Sequence, residues 1–351
     1  MTGLSFYKKK KIFITGHTGF KGTWLCHVLL HAGAAITGYA LRPDDPSLFV
    51  QLGTKDKIGS ITADIRDREK LVTAMREAKP EIVFHLAAQP LVGRSYKEPA
   101  LTYETNVMGT VNVLEALRAT PSARSFVNVT TDKVYENKEW IWGYRENENL
   151  AGYDPYSNSK SCSELVTVSY RNSFFGGTDA PAVSTARSGN VIGGGDYAED
   201  RIIPDCVRAA LAGNPIILRN PCSIRPYQHV LECLSGYLLL AQKQYINGLA
   251  GNYNFGPNEE SCVSTGALAD LFCAAWGKGA HWTVQAKEQP FYEANFLKLD
   301  CSKARAMLDW EPRWDIKTAV GKTVEFAKAD ANAARLACVE GQIREYFKFS
   351  H

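Results

Sequence analysis

Tyr156 and Lys160 lie four residues apart in the run Tyr156-Ser-Asn-Ser-Lys160. On a helix that spacing puts both side chains on one face. An ammonium beside a phenol favours the phenolate, so such a tyrosine can take a proton from an alcohol near neutral pH. The overlapping alternative fails, because the residue four after Tyr153 is Ser157. A second group lies upstream in Val129-Thr130-Thr131-Asp132-Lys133-Val134-Tyr135. Asp132 is a candidate general acid and Thr131 a hydroxyl able to hydrogen-bond a substrate oxygen. Lys133 is a base only as the free amine, and otherwise a cation that stabilises developing negative charge. A third group is Thr15-Gly16-His17-Thr18-Gly19-Phe20-Lys21-Gly22, with its glycines three apart. Gly16 permits a tight turn, Gly19 lets backbone approach a phosphate, and Gly22 lets a helix pack closely on a strand. A helix opening there offers N–H donors and the positive end of its dipole to an anion, and Lys21 adds charge.

Such groups must be carried by regular elements. Ile12 to Thr15 is a short apolar run ended by Gly16, which reads as a buried parallel strand. From Thr23, the residues Leu25, Val28, Leu29 and Ala32 mark one face of a helix that Gly33 closes. Ala35 to Leu41 reads as a second strand, and Asp67 as the N-cap of a helix bearing Leu71, Ala74, Met75 and Ala78. Glu81 to Leu86, Phe126 to Val129 and Ala182 to Arg187 are further strands, with helices over Thr102 to Ala119 and over 157–171. This alternation predicts an α/β fold with a doubly wound parallel sheet of the Rossmann type. After about residue 188 turn signals multiply, as in Gly193-Gly-Gly195, Gly213-Asn-Pro215 and Gly256-Pro257. We therefore expect residues 1–188, with a returning segment at about 224–250, to form the nucleotide-binding sheet. Residues 189–351 should mainly form a smaller C-terminal lobe that covers a substrate.

Composition narrows the classes. The 351 residues are 45% hydrophobic and 22% charged, the usage of an ordinary globular protein with enough chain to bury a core. Lys and Arg total 40 against 37 Asp and Glu, without the clustered basic surplus of a nucleic-acid binder. The nine cysteines are odd in number and contain no Cys-x-x-Cys, which argues against a disulfide framework and a cysteine zinc site. Reduced thiols, no metal and a cytoplasmic setting are the expectation. The basic run before Ile12 precedes an apolar stretch too short for a secretory core, and no run approaches the ~20 residues of a membrane span.

The glycine loop and the Tyr-x-x-x-Lys together resemble the extended short-chain dehydrogenase/reductase superfamily. The Thr131-Asp132-Lys133 segment resembles its nucleotide-sugar 4,6-dehydratases. With Gly-His-Thr-Gly-Phe-Lys-Gly, Asp-Pro-Tyr-Ser-Asn-Ser-Lys and Asn-Val-Ile-Gly-Gly-Gly-Asp, the chain is similar to those that act on a CDP-sugar, from about residue 8 to about 330. The resemblance implies NAD as cofactor. It would be held by Gly16, His17, Thr18, Gly19, Phe20, Lys21 and Gly22 at the phosphates, and by Asp64 and Ile65 at the adenine. Leu86, Ala87 and Ala88 would lie beside the adenosine, with Asn106, Thr130, Tyr156 and Lys160 further in. The end of the second strand is ambivalent: Arg42 suits the 2′-phosphate of NADP, and Asp44 and Asp45 suit NAD. His17 adds bulk at the phosphate turn, which predicts incomplete cofactor retention.

The resemblance further implies oxidation at the sugar C4, loss of water across C5 and C6, and hydride return to C6. Tyr156, Lys160, Thr131, Asp132 and Lys133 would carry that cycle. Relatives with Glu at the position of Lys133 use it as the C5 base, so here that base stays open. Asn190, Arg201, Arg225, His229, Asn254 and Tyr292 would hold the nucleotide sugar, the arginines by bidentate phosphate contact. Relatives pair through the helices bearing Asn106 and Tyr156, which implies a homodimer, with a tetramer as the larger alternative. An epimerase or reductase of the same superfamily would not use Asp132. A non-catalytic cofactor sensor would need the glycine loop but not Tyr156, Lys160 or Asp132, whose presence counts against it.

Overall fold

The computed structural model describes residues 4–284 and 295–348. Seven strands form its central sheet: β1 (Lys11–Thr15), β2 (Ala35–Ala40), β3 (Gly59–Thr62), β4 (Ile82–His85), β5 (Ser125–Val129), β6 (Ala182–Arg187) and β7 (Gly251–Asn254). Their order in space is β7-β6-β5-β4-β1-β2-β3, and each neighbouring pair is parallel. The order reverses between β1 and β4, so a crevice opens outside the carboxyl ends of those two strands. Thr15, at the end of β1, is in register with His85 at the end of β4.

A parallel sheet covered on both faces needs strands that are apolar on both sides. Phe13 and Ile14 point to opposite faces and neither is exposed. On one face Ile12, Ile14 and Phe84 pack with α1 (Phe20–His31), which supplies Trp24, Leu25 and Val28. On the other, Phe13, Val83 and Phe126 pack with α2 (Arg68–Ala78) and α3 (Gly109–Arg118). Asp67 caps α2 as expected, accepting from the Lys70 N–H at 3.1 Å. β3 was not expected: Gly-Ser-Ile-Thr is a short, half-exposed edge strand with no apolar pattern to mark it.

Two helices differ from expectation in ways that matter. α1 starts at Phe20, directly after Gly19, so the glycine loop runs into helix without a spacer. The expected unbroken helix from Thr102 to Ala119 is instead a turn at Pro99–Tyr103, a π-helical turn at Glu104–Met108, and then α3. Asn106 sits in that widened turn. α4 (Pro155–Phe174) carries Tyr156 and Lys160 in its first two turns, with Pro155 at its first position and Asp154 capping the Ser157 N–H at 3.0 Å.

After β6 the chain makes a separate buried cluster. Ile203 and Cys206 of α5 (Ile202–Leu211) belong to it, with Leu268 and Phe272 of a helix at Thr265–Trp276 and Val320 of one at Ile316–Ala327. The segment Val230–Asn247 returns to the first core, and so does Asn332–Phe347, through Val339, Ile343 and Tyr346. The helix Asn332–Phe347 thus joins the sheet's core and also packs on the helix Ile316–Ala327, where Gln342 donates to the Lys322 carbonyl at 2.9 Å and Lys322 pairs with Glu345 at 2.6 Å. Among the described residues no helix is long and apolar enough to cross a membrane.

Candidate active site

Thr131 leaves β5 in extended backbone and caps a short turn at Asp132–Val134, accepting from the Lys133 N–H at 3.4 Å. Its Oγ1 donates to Asp132 Oδ1 at 3.0 Å. Asp132 is fully buried, and its Oδ2 has no hydrogen-bond partner among the described residues. Lys133 Nζ stands 3.8 Å from Asp132 Oδ1, with its side chain 36% exposed, so the cation reaches solvent while the carboxyl does not.

Thr131 also lies close enough to Tyr156 to act on its phenol. Tyr156, Thr131 and Asp132 thus stand in one row, with the Thr131–Asp132 hydrogen bond at its inner end. Burial pushes the phenol up to about 12, against the pull of Thr131 and of Arg201. The groups that pull the phenol down are Thr131 and Arg201, where Lys160 was expected. Lys160 is 5% exposed and donates to the Val129 carbonyl at 3.1 Å. Burial, and then the charge of Lys21, hold its ammonium down to about 8.

The row rests on a buried polar base that sequence reasoning missed. Glu164, one turn beyond Lys160, accepts from Arg187, from Thr130 Oγ1 at 2.5 Å and from Thr185 Oγ1 at 2.6 Å. Arg187 Nη1 also donates to the Tyr135 hydroxyl at 2.7 Å, which donates to Asn254 Oδ1 at 2.7 Å. Two expected site residues have partners in this base. The Thr130 hydroxyl donates to Glu164. Asn254 is fully buried, its amide shared among Tyr135, the Tyr144 carbonyl and the Asp300 carbonyl, so it is part of the base.

The glycine loop sits at the switch point. Gly16 has φ +76°, and a Cβ there would lie 2.7 Å from the Ala87 nitrogen. At Gly22 a Cβ would lie 2.1 Å from the Gly16 carbonyl oxygen. Thr15 Oγ1 accepts from the Leu86 and Ala87 N–H groups at 3.2 Å each, lacing the loop to the exit of β4. Leu86, Ala87 and Ala88 remain half-buried beside it. A side-chain-free turn at an open helix N-terminus, with Gly19 exposed and Thr18 and Phe20 half-buried, fits a dinucleotide's pyrophosphate. Lys21 reaches further than expected: its Nζ donates to Ser188 Oγ at 3.1 Å, where Arg201, Asp132 and Asp196 act on its charge.

Four expected cofactor residues, His17, Asn106, Ile65 and Asp64, also make contacts of their own within the fold. His17 does not crowd the turn. Its ring is fully buried on Gly38, where a Cβ would come within 2.3 Å of it, with Phe49 edge-on at 5.2 Å and Ser60 at 2.8 Å. Only the His17 backbone faces the loop. Asn106 accepts from the Gln89 N–H at 2.8 Å and donates to the Gln89 carbonyl and to Ser159 Oγ, so its whole amide clamps the β4 exit to α4. Ile65 is a core residue whose carbonyl accepts from Asn112, and the Asp64 carboxylate is paired with Arg66 at 2.7 Å. Arg42, Asp44 and Asp45 are exposed beyond β2.

On the opposite wall, Arg201 precedes α5 and pairs with Asp196 at 2.8 Å, close enough to Tyr156 to act on its phenol. Asn190 holds φ +42°, and its Oδ1 is buried without a partner among the described residues. Arg225 is 5% exposed and donates to the Ile224 carbonyl at 3.1 Å. His229, expected at the substrate, caps the helix that follows it. Its Nδ1 accepts from the Leu231 N–H, and the ring lies between Trp24 and Trp314 with no exposure. Tyr292 lies outside the described residues.

The family model described as GDP-mannose 4,6 dehydratase matches residues 13–323. A CDP-glucose 4,6-dehydratase of Salmonella typhimurium is 48% identical to the chain, covering 99% of this chain and 98% of the relative. Among solved structures, dTDP-glucose 4,6-dehydratase of Bacillus anthracis in complex with NAD superposes with a TM-score of 0.76 at 23% identity, covering 91% of this chain and 96% of that one. A Thermus thermophilus UDP-glucose 4-epimerase complex with NAD gives 0.79 at 23%, covering 91% and 99%. The two structures share the fold, and the sequence matches go further: the chain belongs to the GDP-mannose 4,6 dehydratase family, the nucleotide-sugar 4,6-dehydratases of the extended short-chain dehydrogenase/reductases.

Proposed function

We propose that the chain is an NAD-dependent CDP-glucose 4,6-dehydratase that makes CDP-4-keto-6-deoxyglucose. The observation that carries this reading is the row Tyr156–Thr131–Asp132, which sets a fully buried carboxyl beside the phenol. Epimerisation at C4 has no use for such an acid, whereas elimination needs one. Bound NAD supplies a hydride acceptor that is regenerated within one turnover. Tyr156 takes the C4 hydroxyl proton, and Thr131 holds the C4 oxygen. The ketone then acidifies the C5 hydrogen. Asp132 gives its proton to the C6 hydroxyl, which leaves as water. Lys133, half in solvent, takes the C5 hydrogen as a proton in its free-amine form and then stands as a cation beside the enolate; hydride returns to C6 and a proton to C5, which gives the 6-deoxy-4-ketone. Lys160 steadies the phenolate in its working state.

Gly16 to Gly22 bind the pyrophosphate, and exposed Asp44 and Asp45 disfavour a 2′-phosphate on the ribose, which supports NAD over NADP. Arg201, Asn190 and Arg225 take the substrate diphosphate and sugar. Residues 1–188 with about 224–250 carry the cofactor, and 189–351 mainly the substrate. The chain works as a homodimer paired through α4 and the helix of Asn106, whose Met108 and Leu165 are 52% and 55% exposed. Nine free thiols are in keeping with a cytoplasmic setting. Incubation with NAD and, separately, CDP-, dTDP-, UDP- and GDP-glucose tests the reading by mass spectrometry. Loss of one water from CDP-glucose is expected. A product of unchanged mass identifies an epimerase, and unchanged substrate with bound cofactor a sensor.

A further inference from the structure

Thr131 holds one oxygen of Asp132, but its own loop does nothing for the other. The surface against which that oxygen lies is Gly189, two residues past β6. A Cβ built on Gly189 would stand 1.8 Å from Asp132 Oδ2 and 2.2 Å from Cγ. Gly189 has no left-handed backbone angle, so space alone requires a glycine there. Asp132 is fully buried, and its carboxyl can retreat only by breaking the bond from Thr131.

Gly189 is itself fixed from behind. Gln228 Nε2 donates to the Gly189 carbonyl at 3.4 Å and to the Phe255 carbonyl at 2.8 Å. The Gln228 N–H donates to the Asn190 carbonyl at 3.3 Å. Gln228 is 1% exposed and belongs to a two-residue strand, Gln228–His229, paired in parallel with Val191–Ile192. One side chain therefore ties the loop after β6 to the residue after β7. Around this glycine three acceptors are buried without partners among the described residues: Asp132 Oδ2, Asn190 Oδ1 and Gln228 Oε1. Such a set suits a site that receives a proton on Asp132 and hydroxyl donors from a sugar.

We infer that Gly189 and Gln228 are positioning residues for the elimination step, Gly189 by leaving the Asp132 carboxyl its space and Gln228 by fixing that glycine. This rests on the dehydratase reading above. With CDP-glucose and NAD, Gly189→Ala should still take hydride from C4 within about tenfold of the parent, while water loss falls on the order of 10²–10³-fold. Reduced-nicotinamide absorbance then accumulates on adding substrate. Gln228→Met should show the same split with a fall on the order of tenfold. In Gly189→Ala/Asp132→Asn the loss should not exceed that of Asp132→Asn alone, since both changes remove one function. Undiminished water loss, equal loss of both steps, or additive losses in the double variant would overturn the inference.

A crystal structure of Gly189→Ala without substrate reads the geometry separately. It should show the Asp132 carboxyl displaced and its bond from Thr131 broken; an unmoved carboxyl contradicts the inference. Where melting shows that Gly189→Ala does not fold, Gln228→Met and its double variant with Asp132→Asn decide the question. A parent protein that releases no water from CDP-glucose overturns the dehydratase reading and the elimination role with it, and the crystal structure separates that failure from a wrong geometry.

Discussion

Glu164 of α4 and Arg187 of β6 meet in a two-point ion pair, 2.9 Å from Nε to Oε1 and 2.8 Å from Nη2 to Oε2, with no exposed side-chain surface on either. The pair joins the helix that carries Tyr156 and Lys160 to the strand that leads to Gly189. Burial alone would raise the Glu164 carboxyl, but Arg187 and the two threonine hydroxyls outweigh it and hold it below its usual value. Removing one charge leaves the other buried and unpaired. Glu164→Gln should cost about 3–5 kcal/mol, read as a lower denaturation midpoint at unchanged slope. A cost below about 1 kcal/mol would mean that the pair adds nothing net.

Acid should unfold the protein early. Burial holds His17 and His27 down to about 4, and His85 and His229 down to about 3, against 6.5 for a free imidazole. The unfolded chain therefore takes protons below pH 6.5 that the folded chain refuses. Stability is fully present above that pH and falls as pH drops towards 4. Near pH 5 each histidine withdraws on the order of 2 kcal/mol, and four together rival the whole stability of a typical domain. Glu164, whose depressed carboxyl contributes in full above its ordinary value of 4.5 and progressively less below it, adds to the loss lower down. Melting temperatures across pH 4.5 to 8 should fall steeply below 6. A flat profile to pH 5 would contradict these burials.

Lys160 trades stability for chemistry. Its ammonium is held down to about 8 in the fold against 10.5 when free, so below pH 8 the folded chain keeps a buried charge. Between pH 8 and 10.5 the fold releases that proton before the unfolded chain does, and stability gains with rising pH. Lys160→Met should lose at least about 10²-fold in turnover. The melting temperature of the parent, relative to Lys160→Met, should rise from pH 8 to pH 10. A difference independent of pH would place the lysine charge in solvent.

His17→Gly should not tighten cofactor binding, although bulk in the phosphate loop suggests that it would. The ring fills the space above Gly38, so its loss leaves a cavity and costs on the order of 1–3 kcal/mol of stability. NAD titration and melting of the variant check both parts. A gain in NAD affinity without loss of stability would restore the crowded-turn picture.

Local patterns told most where one short segment does one job. The apolar runs of β1, β4 and β5 and the Asp67 cap were legible because burial on two faces and an orphan helix N–H demand those residues locally. The Gly16–Gly22 loop and the Tyr156–Lys160 pair were legible for the same reason. β3 was not, because an edge strand needs little apolar surface. Thr130, Asn106, His229 and Asn254 looked functional, being polar residues at strand ends, helix starts and turns. Their partners, Glu164, Gln89, Trp24 with Trp314, and Tyr135, come from distant parts of the chain, and no local spacing reports such pairings. Glu164, Arg187 and Gln228 went unnoticed for the same reason: their meaning lies in what the fold packs against them.

Tyr156 and Asp132 should fail differently. Tyr156→Phe removes the group that takes the first proton and should block oxidation at C4. Asp132→Asn should leave that oxidation within about tenfold and cut water loss by about 10²–10⁴-fold. On adding CDP-glucose in the presence of NAD, only Asp132→Asn should build up reduced-nicotinamide absorbance. Identical behaviour of the two variants would refute the division of roles.

The most direct test of the account follows one hydrogen. CDP-glucose carrying deuterium at C4 is turned over by the parent protein with NAD, and the product is read by NMR and mass spectrometry. The product should be lighter by water, with the deuterium at C6 and no net reduced cofactor. Deuterium retained at C4 in a product of unchanged composition, or reduced cofactor released in step with product, would contradict it.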